Sequence, residues 1–374
     1  MFDVETGLAI FSALLWLMTL LLPWQPWRTR EVLEVNATDS SLDLSSITVV
    51  IPARNEADVI ATTLAALTRQ GNGLKIIVVD DDSDDATVKV VIRSGIKGLE
   101  LIQSDPLPRD WTGKLWAQEQ GLKKVNTPYV LLLDADIELV PGTIQAALKK
   151  LKQDNLQFVS LMAKLQFSTF WEKLLMPAFI YFFKMIYPFH LSNQSGNRVA
   201  AAAGGFILVE TKILKQIGGM SVIRDAIIDD CSLAKKIKSS GYKVWTGLTH
   251  AVISQRPYSN LKDIWQMVAR TAFTQLHYSV GLLMVCTLVL ILVYWVPIVG
   301  LVFWQGMAFW LSVFSLAAMV LAYLPTLKFY NLHLGWALLM PVTAAFYLLM
   351  TWSSAIRYWK GERSRWKGRV YQNV

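Results

Sequence analysis

The chain has 374 residues, of which 53% are hydrophobic and only 17% charged, with a net charge of +8 at pH 7. A mean hydropathy of +0.37 is too apolar for a wholly soluble enzyme. The tail beyond residue 356 holds Arg357, Lys360, Arg363, Arg365, Lys367 and Arg369 against Glu362, so six minus one gives +5 of the +8. That balance points to anionic lipid headgroups rather than nucleic acid, for which the sequence shows no binding module.

Residues 7–22 (GLAIFSALLWLMTLLL) form an uncharged apolar run. It is shorter than the ~20 residues a span requires, but Trp24 and Trp27 extend it into the interface. Acidic Asp3 and Glu5 before it, and no A-x-A-like site after it, favour a membrane anchor over residues 1–27 against a cleaved signal peptide. Residues 28–46 read as a linker, polar in its second half. Strands and helices then alternate: strand 47–52, helix 56–70, strand 75–80, helix 84–95, strand 99–103, helix 114–124, strand 129–134, helix 141–152 and a strand in QFVSLMA. Such alternation predicts an α/β domain over 47–278 with a mostly parallel sheet.

Residues 167–191 mix aromatics with Lys173, Lys184 and prolines, as an interfacial helix does; a core or membrane helix is the plainer reading. From Val280 to Pro325 charge is almost absent, broken only around Gln305 and Gly306. The membrane region 279–356 therefore reads as spans over 280–304, 307–325 and 334–356, followed by the basic tail 357–374. The basic residues after Arg28 put the α/β domain on the cytoplasmic side. Three further spans carry the tail to the opposite face, against its charge, so either one segment re-enters or one span is misjudged.

Two apolar runs end abruptly in carboxylates. KIIVV meets Asp80, Asp81 and Asp82; YVLLL meets Asp134, Ala135 and Asp136. Open α/β sheets bind ligands beyond the carboxyl ends of their strands, so two acidic ends suggest one crevice for a hydroxylated, phosphorylated ligand and a divalent cation. Strand alternation would set Asp134 and Asp136 on one face. Asp84 and Asp85 read as first-turn charges of the next helix. Cys231 and Cys286 are too few for a disulfide framework, and His190, His250, His277 and His333 lack zinc-ligand spacing.

IPARNE, VVDDDSDDAT, LLLDADIEL and DDCSLAKKIKSSGYKVW resemble successive signatures of the inverting family 2 glycosyltransferases, over about residues 47–276. PLPRDWTGKLWAQEQG (106–121), the flanking membrane segments and RPYSNLKDIWQMVARTAFTQL resemble the hopene-associated members most, and ceramide glucosyltransferases more distantly. The resemblance implies a GT-A-type, Rossmann-like nucleotide-sugar-binding domain between N-terminal and C-terminal transmembrane helices. It assigns nucleotide-sugar contacts to Pro52, Arg54, Glu56, Asp80, Asp81, Lys114, Asp134 and Arg270, and a Mg2+ or Mn2+ ion to Asp136. Gly204, Gly205 and Asp229 fall in the region of donor sugar and acceptor, and Asp230 falls at the general base.

The implied reaction is inverting transfer from a nucleotide diphosphate sugar, a UDP-sugar by preference, to a lipid: a hopanoid-related one, or ceramide, diacylglycerol or polyprenyl phosphate. The implied location is the bacterial inner membrane, catalytic domain inward. On the residues alone, Glu56 and Asp230 also suit helix N-termini, where the dipole should depress the Asp230 pKa unless desolvation by a lipid acceptor or the neighbouring Asp229 counters it, and Lys114 suits a solvated first turn. One departure stands out. Where many members carry Gln-x-x-Arg-Trp, this chain has Gln266 and Arg270 four apart and no tryptophan, which argues for single transfer over processive synthesis. A nucleotidyltransferase would want a glycine-rich phosphate loop after the first strand. A membrane scaffold or transport component with a vestigial domain would show lost acidic sites.

Overall fold

The computed structural model describes residues 3–35 and 42–372. Two units emerge, each assembled from separate stretches: a helical unit of Met1–Arg30, Phe167–Ile186 and Tyr258–Val374, and a sheet unit of Glu31–Gln166 and Tyr187–Pro257.

The sheet unit contains β1 (Ile47–Ala53), β2 (Lys75–Asp80), β3 (Leu99–Gln103), β4 (Tyr129–Leu133), β5 (Ile137–Leu139), β6 (Phe158–Lys164), β7 (Phe206–Glu210) and β8 (Val244–Ser254). Their order is β3-β2-β1-β4-β7-β6-β8-β5. β1 to β4 run parallel, as do β6 and β8, whereas β7 opposes both β4 and β6, and β5 opposes β8. The mostly parallel α/β sheet expected from the alternation is present.

Successive side chains of the central strands enter two different cores. Val49, Ile51, Ile76, Val78, Leu131 and Leu133 pack with Ile60, Leu64 and Leu67 of helix Ile60–Thr68. Val50, Ile77, Val79, Val130 and Leu132 pack with Leu115 and Leu122 of helix Gly113–Lys124 and with Leu233 and Ile237 of helix Asp229–Ser239. Cover on both faces is why these strands are continuous apolar runs, and each buried Val, Leu or Ile is worth roughly 1.5–3 kcal/mol. Helix Gly113–Lys124 meets the sheet at Gly121, where an added Cβ would lie 2.5 Å from Val50 Cγ1 and 3.1 Å from Val79 Cγ2.

Several boundaries differ from the sequence expectation: the helix expected over 84–95 spans Thr87–Arg93, so Asp84 and Asp85 precede it instead of lying in its first turn, the helix expected over 141–152 spans Thr143–Gln153, and two further shifts bear on the strand ends. The helix expected from residue 56 begins at Ile60, because residues 56–59 form a turn in which the Glu56 carbonyl accepts from Val59 N at 3.1 Å. β4 stops at Leu133; Ile137 N donates to the Asp134 carbonyl at 3.3 Å and closes a turn into the short β5, which the sequence reading lacks.

In the helical unit, Val4–Leu21, Val280–Phe303, Gly306–Phe329 and Leu334–Trp359 are long and apolar enough to cross a membrane. Their 24-residue members reach about 36 Å at 1.5 Å per residue, against a hydrocarbon core of about 30 Å. Val280–Phe303 carries a π-turn at Ile291–Trp295 just before Pro297. Pro297 has no N–H to give the Val293 carbonyl four residues back; Trp16 Nε1 donates to that carbonyl instead, at 2.9 Å. Helix Phe170–Ile186 buries Leu174, Leu175, Met176 and Tyr181. Its Leu175 carbonyl accepts from Tyr347 Oη at 2.9 Å, so this helix is packed into the unit rather than laid out alone.

Candidate active site

Beyond β1 and β2, two loops are laced together. Arg54 turns its guanidinium inward, where Nη1 donates to the carbonyls of Asp81 and Asp82, the latter at 2.7 Å. Asn55 N donates to Ser83 Oγ at 3.0 Å, Asp84 N to Asn55 Oδ1 at 2.9 Å, and Glu56 N to Thr87 Oγ1 at 2.8 Å. Asn55 and Asp82 accept positive φ, +52° and +58°, as the turns require. Asp85 Oδ1 accepts from Thr87 N at 2.8 Å, at the start of helix Thr87–Arg93. Pro52 lies within buried β1 opposite Val79.

The loops leave two acids deep at the rim, Asp80 and Asp81, each 1% exposed. Asp80 Oδ2 accepts from Ser83 N at 3.2 Å. Its Oδ1 is buried with no hydrogen-bonding partner among the described residues. An unsatisfied buried carboxylate oxygen is costly, and a ligand N–H or O–H is what would satisfy it.

The second cluster forms around Lys114, at the start of helix Gly113–Lys124. Its Nζ lies 2.9 Å from Asp134 Oδ1 and 3.2 Å from Asp229 Oδ2. Burial pulls the ammonium pKa down, but Asp134, Asp229 and Asp230 outweigh it and hold the group above the usual lysine range. Lys114 is a fixed cation here, not a solvated first-turn lysine. Burial, reinforced by Asp136, raises the Asp134 carboxyl against the pull of Lys114.

Asp230 occupies the first turn of helix Asp229–Ser239. Its Oδ2 accepts from Gly204 N at 2.9 Å and its Oδ1 from Cys231 N at 2.7 Å. The depressed pKa expected from the helix dipole does not result. Burial first, then the neighbouring Asp229, push the carboxyl up to about 6 against the opposing Lys114 and the two N–H donors. Lys114, Gly204, Asp229 and Asp230 line one cleft. A Cβ on Gly204 would stand 3.1 Å from Lys114 Nζ and 3.5 Å from Asp230 Oδ2, so glycine keeps that approach open. The Gly205 carbonyl accepts from Asp134 N at 3.2 Å, tying the two strand ends together.

One residue to which the sequence reading gave no role stands at the centre of the rim. Arg256, two residues after β8, donates from Nε to Asp136 Oδ2 at 2.8 Å and from Nη2 to Glu56 Oε1 at 2.9 Å. Gln255 N holds the Asp136 carbonyl at 2.7 Å. The turn after β4 thus replaces the shared face inferred from strand alternation: Asp134 is paired with Lys114, and Asp136 with Arg256. A lone arginine after a strand, 120 and 200 residues from its partners, offers no local signal. Gln266 and Arg270 belong to the helical unit, where they line a cavity with tail residues.

Among the described residues, no three His, Cys, Asp or Glu side chains gather around a metal position. Asp136 and Glu56 do converge on a positive charge, the Arg256 guanidinium. Two hard carboxylates already holding a cation suit Mg2+ or Mn2+, with further oxygens supplied by a diphosphate.

Residues 48–218 match the family model described as glycosyl transferase family 2. The chain is 30% identical over 135 residues to a 4,4'-diaponeurosporenoate glycosyltransferase of Staphylococcus haemolyticus, covering 36% of this chain and 33% of that one. A Staphylococcus aureus protein of the same name is 30% identical over 104 residues, or 28% and 27% of the two chains. The chain thus spans about a third of the length of these curated relatives. Among solved structures, a mannosyltransferase from Pyrobaculum calidifontis, in complex with GDP-Man and Mn2+, aligns with a TM-score of 0.55 at 19% identity, over 94% of this chain and 99% of that one. That likeness concerns the fold, which is of the GT-A type. Residues 48–218 are therefore similar to glycosyl transferase family 2 domains.

Proposed function

We propose that this chain is a membrane-bound inverting glycosyltransferase that moves a sugar from a nucleotide diphosphate sugar, a UDP-sugar by preference, to a lipid acceptor. The observation that carries the reading is Asp230, a carboxylate with its pKa pushed up to about 6, held 2.9 Å from Gly204 N in the cleft that contains Lys114. At pH 7 such a group is largely ionised, yet more basic than an ordinary aspartate, which is what a general base for a hydroxyl needs.

In the proposed step, the acceptor oxygen bonds to the anomeric carbon as its proton passes to Asp230. The bond from that carbon to the diphosphate breaks on the opposite side. Asp80 and Asp81 take the base and ribose, the unpartnered Asp80 Oδ1 receiving a donor N–H or O–H. Lys114 and Asp134 flank the ribose and diphosphate, with Pro52, Arg54 and Glu56 shaping the rim and Gly205 and Asp229 beside the sugar. Asp136 is the residue to hold Mg2+ or Mn2+, which when bound offsets the charge of the departing diphosphate.

A lipid acceptor is supported by the four apolar helices and by relatives named for 4,4'-diaponeurosporenoate. Those names widen the acceptor class beyond the hopanoid-related lipid suggested by segment 106–121. The location that goes with this reading is the bacterial inner membrane, with the sheet unit on the cytoplasmic side. The test is donor-dependent release of nucleoside diphosphate in the presence of membrane lipid extract, with mass spectrometry of the lipids. A new glycolipid, absent with Asp230→Asn, supports the reading. Pyrophosphate release from a nucleoside triphosphate and sugar phosphate, or nucleotide-sugar binding without transfer to any lipid, overturns it.

A further inference from the structure

Helix Gly113–Lys124 carries Lys114 near its start, and further along it carries Glu119, which has no part in the proposed reaction. Glu119 Oε2 accepts from Met220 N at 2.7 Å, across 101 positions of sequence. Met220 is fully buried in the 3-10 turn Gly219–Ile223. Two glycines make the contact possible. Gly218 and Gly219 have φ of +103° and +64°, and a Cβ on Gly219 would stand 2.6 Å from Glu119 Oε2. Glycine admits both the left-handed backbone and the close carboxylate. A backbone N–H that donates to a carboxylate makes a bond roughly twice as strong as a neutral one. The same helix holds the far end of the turn, since Thr112, just ahead of Gly113, donates from N to the Arg224 carbonyl at 2.8 Å. From Arg224 the chain runs on to Asp229 and Asp230. Met220 and Ile223 line one cleft with Lys114, Asp229 and Asp230, and Lys114 meets Asp229 at 3.2 Å from the helix side. One helix therefore places the cation of this cleft directly and its acids through a turn pinned at two points.

We propose that Glu119 is a positioning residue for sugar transfer: by holding Met220 N it fixes segment 218–230 against helix Gly113–Lys124 and so sets where Asp230 stands relative to Lys114. The inference rests on the proposed role of Asp230 as base. Asp80, Asp81, Lys114 and Asp134, which serve the donor in that reading, lie outside the segment. Loss of Glu119 should therefore displace the base and leave donor binding in place, and a displaced reacting group costs on the order of ten- to a hundredfold in rate.

The test uses the full-length protein in detergent and three measurements: hydrogen exchange by mass spectrometry, nucleotide-sugar dissociation constant, and turnover with membrane lipid extract. Glu119→Ala should speed exchange within 218–230, lower kcat by about ten- to a hundredfold and leave the dissociation constant within about twofold, a split that mere loss of stability would not give. Glu119→Gln, which keeps a side-chain oxygen for Met220 N, should restore most of the rate. Gly219→Ala should cost less in the Glu119→Ala background than in wild type, because the carboxylate that its Cβ meets is gone. This cycle attacks the contact from the other side should one variant fold poorly. Lys124→Gln, exposed on the same helix, should change nothing. Unchanged exchange in Glu119→Ala overturns the proposal, as does faster exchange with wild-type turnover, or a donor affinity that falls in step with kcat. If wild type itself transfers no sugar to lipid, the proposed function fails on its own, while the exchange data still decide whether Glu119 holds the segment.

Discussion

The raised pKa of Asp230 predicts where activity fails in acid. In the proposed step transfer requires the carboxylate, so kcat/KM should climb with pH through a midpoint near the value of about 6 to which burial and Asp229 push this group. At pH 5 roughly one-tenth of the protein would then be competent, against about nine-tenths for an aspartate at its ordinary value. The neighbours set the direction of two variants. Asp229→Asn removes a contribution that raises the pKa and should move the acid limb down; Lys114→Met removes one that lowers it and should move the limb up. Asp230→Asn should cost a factor of about 10²–10⁴ in turnover while nucleotide-sugar binding persists.

Stability carries the same signature with its own sign. The folded carboxyl holds its proton more tightly than the unfolded one. The stabilisation from protonated Asp230 is therefore complete below pH 3.8 and lost as pH rises towards 6. For a half-buried group the loss is on the order of 1–3 kcal/mol, the lower end allowing for solvent screening. The assays are initial rates from pH 4.5 to 8 and denaturant unfolding of wild type and Asp230→Asn over the same range. An acid limb near pH 4, or one that Asp229→Asn and Lys114→Met leave in place, refutes the assignment.

Two other predictions concern charge and packing. Arg256→Gln removes the cation shared by Asp136 and Glu56; it should lower the melting temperature without metal, and Mn2+ should raise it more than in wild type. Equal Mn2+ responses from the two proteins would show that Arg256 does not share the metal's carboxylates. Gly121→Ala sets a Cβ 2.5 Å from Val50 Cγ1 and should cost roughly 1–3 kcal/mol by overpacking. Denaturant titration measures it, and the pH midpoint of activity should stay unmoved.

What the sequence made legible is what short-range pattern encodes. Apolar strands buried on both faces read as apolar runs, and the acids closing them mark strand ends, so β1 to β4, Asp80, Asp81 and Asp134 are visible in one dimension. Harder to see is whatever long-range pairing decides. The turn after Leu133 depends on where β5 finds β8, and it alters the surroundings of Asp136. Lys114 takes its character from Asp134 and Asp229, neither of them near it in sequence. The sign of the Asp230 shift depends on burial, which outweighs the helix dipole visible from position alone. Trp16 answering for Pro297 likewise joins residues hundreds of positions apart.

The chain's passage between its two units sets an order of events during synthesis. Among the described residues β5 pairs only with β8, yet ~100 residues separate Leu139 from Val244, with helix Phe170–Ile186 of the other unit in between. At ~5–20 residues per second the ribosome takes ~5–20 s over that stretch, while a strand edge stands open. The sheet therefore cannot be completed until an apolar helix of the other unit has been synthesised. A fragment ending before β8 would be released with an exposed edge and without Arg256, and should aggregate rather than fold as a smaller enzyme.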